Sequence, residues 1–431
     1  MAVSTILIAF LLMLAVMLLG MPIAVVMALA GVVGGLLAYG WPLVDSMGPV
    51  IWSVLNENIL TAIPLFILLG ELLLRSGMAD RLYGALSLWL GRLPGGLLHS
   101  NIGCCALFAA TSGSSVATAA TIGTVAMPAL NERGYDKARS LGSIAAGGTL
   151  GILIPPSVNL LIYGSLSETS IGQLFIAGII PGVLLSLLFM AYIMFSARGE
   201  TRDTEAVPLE AKLRALTALI PPLIIFVIVM GSIYLGIATP TESAALGVIT
   251  ALIMIVASGR LTLDLLTRCF IQTARTTGIV LLIVLSAFLL NVTLSLTGVA
   301  QSMTSWITTL GLSTTGLLIA LVIFYLALGM FMDVLSMMVL TIPIAVPVVT
   351  AAGVDPVWFG IFIVLMCELG LITPPVGMNL YVVQGVRPDA GPFGDVVRGA
   401  VPYAILMLVF TLLLIVWPDL VLWLPRTMTS G

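Results

Sequence analysis

Two apolar segments, each broken by a pair of adjacent prolines, constrain this chain more than any other feature. The first reads Gly151-Ile-Leu-Ile154-Pro155-Pro156-Ser157-Val-Asn159. The second, about 220 residues later, reads Gly370-Leu-Ile-Thr373-Pro374-Pro375-Val376-Gly-Met-Asn379. Each proline lacks an N–H and its ring blocks continuation of a helix. Hydrocarbon cannot satisfy the carbonyls so freed, so such breaks persist only where they line a cavity or bind something. A matched pair of them in two halves of a membrane chain points to the binding site of a transporter.

The chain is 60% hydrophobic and 8% charged, against roughly 25% charged in soluble domains. It is a polytopic membrane protein with the lipid bilayer as its solvent, and nothing suggests a nucleic-acid partner. The opening apolar stretch has no basic flank and runs past signal length, so it reads as an anchor without a cleavable signal. Cys104, Cys105, Cys269 and Cys367 lack metal-like spacing and read as small packing residues. His99 is the single histidine, which excludes a multi-histidine metal site.

Nearly all of the 16 Lys and Arg fall into five short groups. These are Arg75/Arg81/Arg92, Arg133/Lys137/Arg139, Arg198/Arg202/Lys212/Arg214, Arg260/Arg268/Arg275 and Arg387/Arg398, with Arg426 alone. The positive-inside rule places all five on the cytoplasmic side. Residues 97–130 then begin and end on that side, around Thr111-Ser112-Gly113-Ser114-Ser115. Each arm has about 14 residues, roughly 21 Å, short of the roughly 30 Å hydrocarbon core. A re-entrant hairpin with a Ser/Gly tip is expected. The segments 59–74, 140–165, 173–197, 215–236 and 241–258 alternate across the membrane. Their connections near 41–58, 166–172 and 235–240 lie outside. Segments 80–92 and 261–275 suit helices along the cytoplasmic interface.

Five crossings before the second half imply an inverted repeat. Gly77-Met-Ala-Asp-Arg-Leu resembles Gly298-Val-Ala-Gln-Ser-Met, and the Ser112-Gly113 tip maps onto Met332-Asp333. A second hairpin over about 314–350 and a broken span over 356–386 follow, with 400–424 as the last span. Residues 4–38 are too long for one ordinary span. The Gly20-Met21-Pro22 break splits them into two short spans with an external N-terminus, or kinks a single tilted one. The expected fold is therefore an all-α polytopic membrane protein with two re-entrant hairpins and two discontinuous helices. Its parts are N-terminal scaffold (1–94), first transport half (95–165), scaffold (166–311), second transport half (312–386) and C-terminal scaffold helix (387–431).

Broken helix ends present orphan N–H and C=O groups. N–H ends suit an anionic substrate, whereas carbonyls and hydroxyls suit a hard cation such as Na⁺. One cation site would use Ser112 and Ser115 with Gly151, Ile154 and Pro155. The other would use Gly329 with Gly370, Thr373 and Val376. Ser114, Ser157, Asn159, Asp333 and Asn379 are expected to line the substrate cleft between them. No Arg or Lys lies in this core, so a carboxylate must find N–H, hydroxyl or amide donors. Glu368 either tunes a cation site or accepts hydrogen bonds from the hairpin. Glu242 reads as a first-turn helix acid, Glu71 as the i,i+4 partner of Arg75, and His99 as a packed or capping residue. A hydrolase using Ser114 or Ser115 needs a base within hydrogen-bond reach, and His99 is roughly 22 Å along the arm. No catalytic residue is assigned.

The strings Ser112-Gly-Ser-Ser115, Gly134-Tyr135, Ile154-Pro-Pro-Ser157, Thr239-Pro-Thr-Glu242, Met332-Asp333 and Thr373-Pro-Pro-Val-Gly-Met-Asn379 run along essentially the whole chain. In that order they resemble the large membrane (M, DctM-like) subunit of tripartite ATP-independent periplasmic (TRAP) transporters. The resemblance implies a bacterial or archaeal inner-membrane importer of an organic anion such as a C4-dicarboxylate or sialic acid. It implies coupling to two or more Na⁺ ions, no organic cofactor, and elevator-like motion of a transport domain against a scaffold. It also implies a small Q membrane subunit and a periplasmic P substrate-binding protein as partners. No Q-like helices precede Met1, so a separate Q partner is expected. By motif position the family's two Na⁺ sites fall on the two residue sets given above. A stand-alone Na⁺- or H⁺-coupled carboxylate symporter is the alternative.

Overall fold

A pattern of apolar runs punctuated by glycine and proline dictates helices with abrupt ends, and the computed structural model consists of such helices. It describes residues 3–197 and 208–428, so Arg198 and Arg202 of the third basic group lie outside the described residues. Among the described residues there are no strands. Within the described residues six helices are long and apolar enough to cross a membrane, or up to nine if each bent pair forms one span. The chain is a multi-pass membrane protein.

The first half opens with α1 (Val3–Leu18), α2 (Ile23–Tyr39) and α3 (Trp41–Leu55). Ile6 and Ala38 line one apolar cavity of about 370 Å³. A single kinked span would hold them roughly 48 Å apart, so the chain folds back at Gly20, whose φ of 91° favours glycine. Most of the expected connection at 41–58 is helix α3. Next come α4 (Ala62–Arg75) and α5 (Met78–Leu90), bent 65° apart. Helices α6 (Leu97–Ser112) and α7 (Ser115–Glu132) meet at Gly113. Helices α8 (Lys137–Leu153) and α9 (Val158–Ser167) flank the first break at 42°, and α10 (Ile171–Ser196) follows.

The second half runs through α11 (Leu209–Ala215), α12 (Ile220–Tyr234) and α13 (Pro240–Ala257). Thr239 and Glu242 form a reciprocal capping box at the start of α13, the first-turn acid expected there. Segment 261–275 is not a separate element. It is fused into α14 (Leu263–Leu296), 34 residues long and about 51 Å, because no glycine or proline interrupts it before Gly278. Helix α15 (Val299–Thr309) turns 117° into α16 (Thr314–Gly329). Then follow α17 (Val334–Ala351), α18 (Pro356–Leu371), α19 (Met378–Val386), α20 (Phe393–Val416) and α21 (Asp419–Arg426). The expected last span thus stops at Val416, and Arg426 pairs with Asp419 at 2.7 Å. Gly77 and Gly298 begin α5 and α15 with φ of 71° and 67°, the same left-handed step at matched positions.

Close backbone approach fixes the core. A methyl group built on Gly142 of α8 would lie 2.1 Å from the Gly399 carbonyl of α20. One built on Gly178 of α10 would lie 2.5 Å from the Leu153 carbonyl. All four cysteines are buried and free. His99 is buried with Nε2 2.8 Å from the Pro94 carbonyl, a packed residue as expected. Beyond α19, the buried Arg387 guanidinium pairs with Asp389 and with Asp395 (2.9 Å), while Lys137 at the start of α8 also pairs with Asp389. Hydrogen bonds from Arg387 and then Lys137 hold the Asp389 carboxyl well below the usual carboxylate range.

Candidate functional site

Proline chemistry sets up both candidate cation sites. The helical acceptor of the residue-155 N–H is the Gly151 carbonyl, and the acceptor of the residue-374 N–H is the Gly370 carbonyl. Both donors are missing because both residues are proline. Both Pro-Pro bonds, Pro155-Pro156 and Pro374-Pro375, are cis.

At the first break the tip of the α6–α7 hairpin meets the end of α8. Gly113, with φ of 60°, turns the chain, and Ser114 caps α7 by accepting the Ala117 N–H. A methyl group on Gly151 would lie 2.6 Å from the Ser114 carbonyl, and one on Gly113 would lie 2.9 Å from the Pro156 carbonyl. Ser112 Oγ lies 2.9 Å from Thr118 Oγ1. The Ser115 hydroxyl is buried and accepts from Asn379 Nδ2 at 2.7 Å. The structure therefore brings Ser112, Ser115, Gly151, Ile154 and Pro155 to one place.

The second site repeats that contact with different atoms. Gly329 ends α16, and a methyl group on Gly370 would lie 2.7 Å from its Cα. The Val376 N–H donates to the Met330 carbonyl at 3.2 Å. Thr373 donates its N–H to the Gly370 carbonyl (3.2 Å) and its hydroxyl to the Leu369 carbonyl (2.6 Å). Its hydroxyl lone pairs remain available to a cation. Gly329, Gly370, Thr373 and Val376 are thus also together. Both sets offer carbonyl and hydroxyl oxygens, which suit a hard monovalent ion. Among the described residues no three His, Cys, Asp or Glu cluster as a conventional metal site.

Between the sites lies a cleft of about 390 Å³. Ser112, Ser114, Ser115, Asn159 and Asp333 line it. Asp333 also caps α17, accepting the Ser336 N–H at 3.2 Å. Two expected lining residues are corrected. Ser157 is fully buried and caps α9 by accepting the Leu160 N–H. Asn379 is fully buried and turned into the protein, toward Ser115. Both were displaced from the cleft by the same demand, since a helix end or a buried hydroxyl needs a partner.

Three polar lining residues were not assigned to the cleft from the sequence: Glu71 on α4, and Gln272 and Thr276 on α14. Glu71 is paired with Arg75 at 2.9 Å as its spacing required, yet the same side chain faces the cleft. Gln272 and Thr276 sit in a stretch whose charges resemble an interfacial segment. The four-residue spacing of two polar groups in α14 was the available signal. Glu368 is fully buried two residues before Gly370, and its carboxyl faces the Leu153 and Ile152 backbone of α8 rather than the hairpin.

Broken helices meeting hairpin tips beside a largely apolar cleft with a few polar groups are the architecture of a membrane carrier. Residues 10–420 match the family described as tripartite ATP-independent periplasmic transporter, DctM component. The chain is 36% identical over 387 residues to the C4-dicarboxylate TRAP transporter large permease protein DctM of Pseudomonas aeruginosa, covering 89% of this chain and 90% of that one. It is 34% identical over 370 residues to the sialic acid TRAP transporter large permease protein SiaM of Vibrio cholerae, covering 85% and 86%. Its fold resembles the Alcanivorax borkumensis YdaH transporter, with a TM-score of 0.60 at 15% identity over 89% of each chain. The chain belongs to the DctM family of TRAP transporter large permease subunits, which are transporters and not enzymes.

Proposed function

We propose that this chain is the large permease of a TRAP importer that takes up an organic anion, such as a C4-dicarboxylate or a sialic acid, driven by a Na⁺ gradient. The observation that carries this reading is the pair of hairpin-to-break contacts, Ser114 on Gly151 and Gly329 on Gly370, flanking one cleft. Bound Na⁺ would supply the positive charge that the cleft walls around Asp333 lack. Ser112, Ser115, Gly151, Ile154 and Pro155 would hold one ion, and Gly329, Gly370, Thr373 and Val376 another. Ser114 and Asn159 then present hydroxyl and amide donors to a carboxylate, whose burial without them would be costly.

The repeated order of hairpin and broken helix supports an inverted repeat working as an elevator. The moving body comprises α6 to α10 and α16 to α20. It is drawn wider than the hairpins and broken helices alone, because Gly178 of α10 and Gly399 of α20 lock those helices onto α8. The remaining helices form the scaffold. A small Q subunit beside that scaffold, a P protein delivering substrate, and a bacterial or archaeal inner membrane complete the assembly.

The test is the melting temperature of the purified chain, with its small subunit, titrated with NaCl, KCl and choline chloride. Saturating Na⁺ at 100 times its dissociation constant should add about 2.7 kcal/mol, and Thr373→Ala or Ser115→Ala should abolish part of that gain. Superimposable curves in the three salts would sink the Na⁺ assignment.

A further inference from the structure

We propose that Gln272 and Thr276 on α14 touch the substrate at one end of the carrier cycle only. They are hydrogen-bonding groups on a stationary helix, met by the anion when the moving body holds the cleft toward the basic face of the protein. The inference rests on the carrier reading above and adds a residue set to it.

Three observations support it. First, the cleft has walls of two kinds. Ser112, Ser114 and Asn159 belong to the moving body, whereas Glu71, Gln272 and Thr276 belong to helices outside it. Second, the stationary wall has unused hydrogen-bonding capacity. Gln272 Nε2 reaches Thr276 Oγ1 only at a long 3.4 Å, leaving the amide oxygen and a second N–H free. Polar groups left unsatisfied in an apolar span are costly, and a bound anion would satisfy them. Third, Arg268 and Arg275 flank Gln272 on the same helix, marking this as the end of the cleft on the basic side.

Contacts made in one state and not the other bias the affinity measured from one side. In proteoliposomes of known sidedness, we would follow labelled succinate and N-acetylneuraminate, using whichever wild type accumulates under a Na⁺ gradient. Gln272→Leu combined with Thr276→Val should raise the half-saturation on the basic face about tenfold, for two lost hydrogen bonds. Half-saturation on the opposite face should change less than about twofold. An equal rise on both faces overturns the proposal, because the contact would then travel with the moving body or reflect the fold. No rise on either face overturns it too. The Na⁺-dependent melting shift should be unchanged in the variants, and if the double variant does not fold, Thr276→Val alone carries the test with a smaller asymmetry. Failure of wild type to accumulate either compound defeats the carrier reading as stated, and this proposal with it.

Discussion

The two breaks have nearly the same sequence and opposite surroundings. From Gly151 to Ser157 every residue of the first is buried, and α10 lays Gly178 and Gly182 directly over it. At the second, Pro375 and Val376 are exposed, Val376 by 39%. That break is held from its far end, one short helix away, by Arg387 bridging Asp389 and Asp395. Close packing loses its attraction within a fraction of an ångström, while ion pairs tolerate displacement. The first break is therefore the more closely packed member of the pair, and the second is the more open one, joined to its hairpin tip by the Gly329–Gly370 contact and the Val376–Met330 hydrogen bond.

Removing the clamp of the second break should have the largest effect. Arg387→Ala leaves two carboxylates without their guanidinium, and each is 26% exposed, so the cost should fall below the range for fully buried pairs, at about 2–3 kcal/mol. Thermal unfolding in detergent measures it. A loss under about 0.5 kcal/mol would show that the cluster does not hold this region. Overpacking the first break comes next. Gly178→Val drives a side chain into the Leu153 carbonyl and should cost about 1–3 kcal/mol. Val376→Leu at the open second break should change stability by less than about 0.5 kcal/mol. Similar losses at both positions would erase the contrast between them.

A smaller effect tests the link between the breaks. Asn379, just past the second, donates to Ser115, beside the first. In a double-mutant cycle, Asn379→Ala and Ser115→Ala should couple by about 0.5–1.5 kcal/mol. Additive losses would mean that the hydrogen bond does not join the two halves. The smallest effect concerns pH. The folded state holds the Asp389 carboxyl below its unfolded value of about 3.9, so its stabilisation is complete above that value and is lost progressively as pH falls from there toward the lower folded value. The melting gap between wild type and Asp389→Asn should stay constant near neutrality and narrow below about pH 4. A gap that persists into acid would show that Asp389 contributes through something other than its charge.

Much of this geometry was legible in the chain. Pro155-Pro156 and Pro374-Pro375 fixed where α8 and α18 had to stop, because a missing N–H is a covalent fact. Gly113 between serines marked a hairpin tip, and Gly20-Met21-Pro22 marked a reversal. Local spacing also identified the Glu71–Arg75 pair and the Thr239–Glu242 cap. The cleft was legible only on one wall. Ser114, Asn159 and Asp333 lie at helix ends that the prolines and glycines announce. Glu71, Gln272 and Thr276 lie within helices, where nothing local says which face meets a cavity.

Sequence by itself determined the membrane class, the breaks and the oxygen-rich character of both candidate cation sites, since each follows from covalent chemistry or from hydropathy over a few turns. Tertiary structure alone decided that Ser157 and Asn379 turn inward, and that α10 seals one break while Arg387 clamps the other. Those outcomes depend on contacts between residues remote in sequence. Which partner reaches a helix face first is settled by packing across the whole bundle, not by the residues on that face.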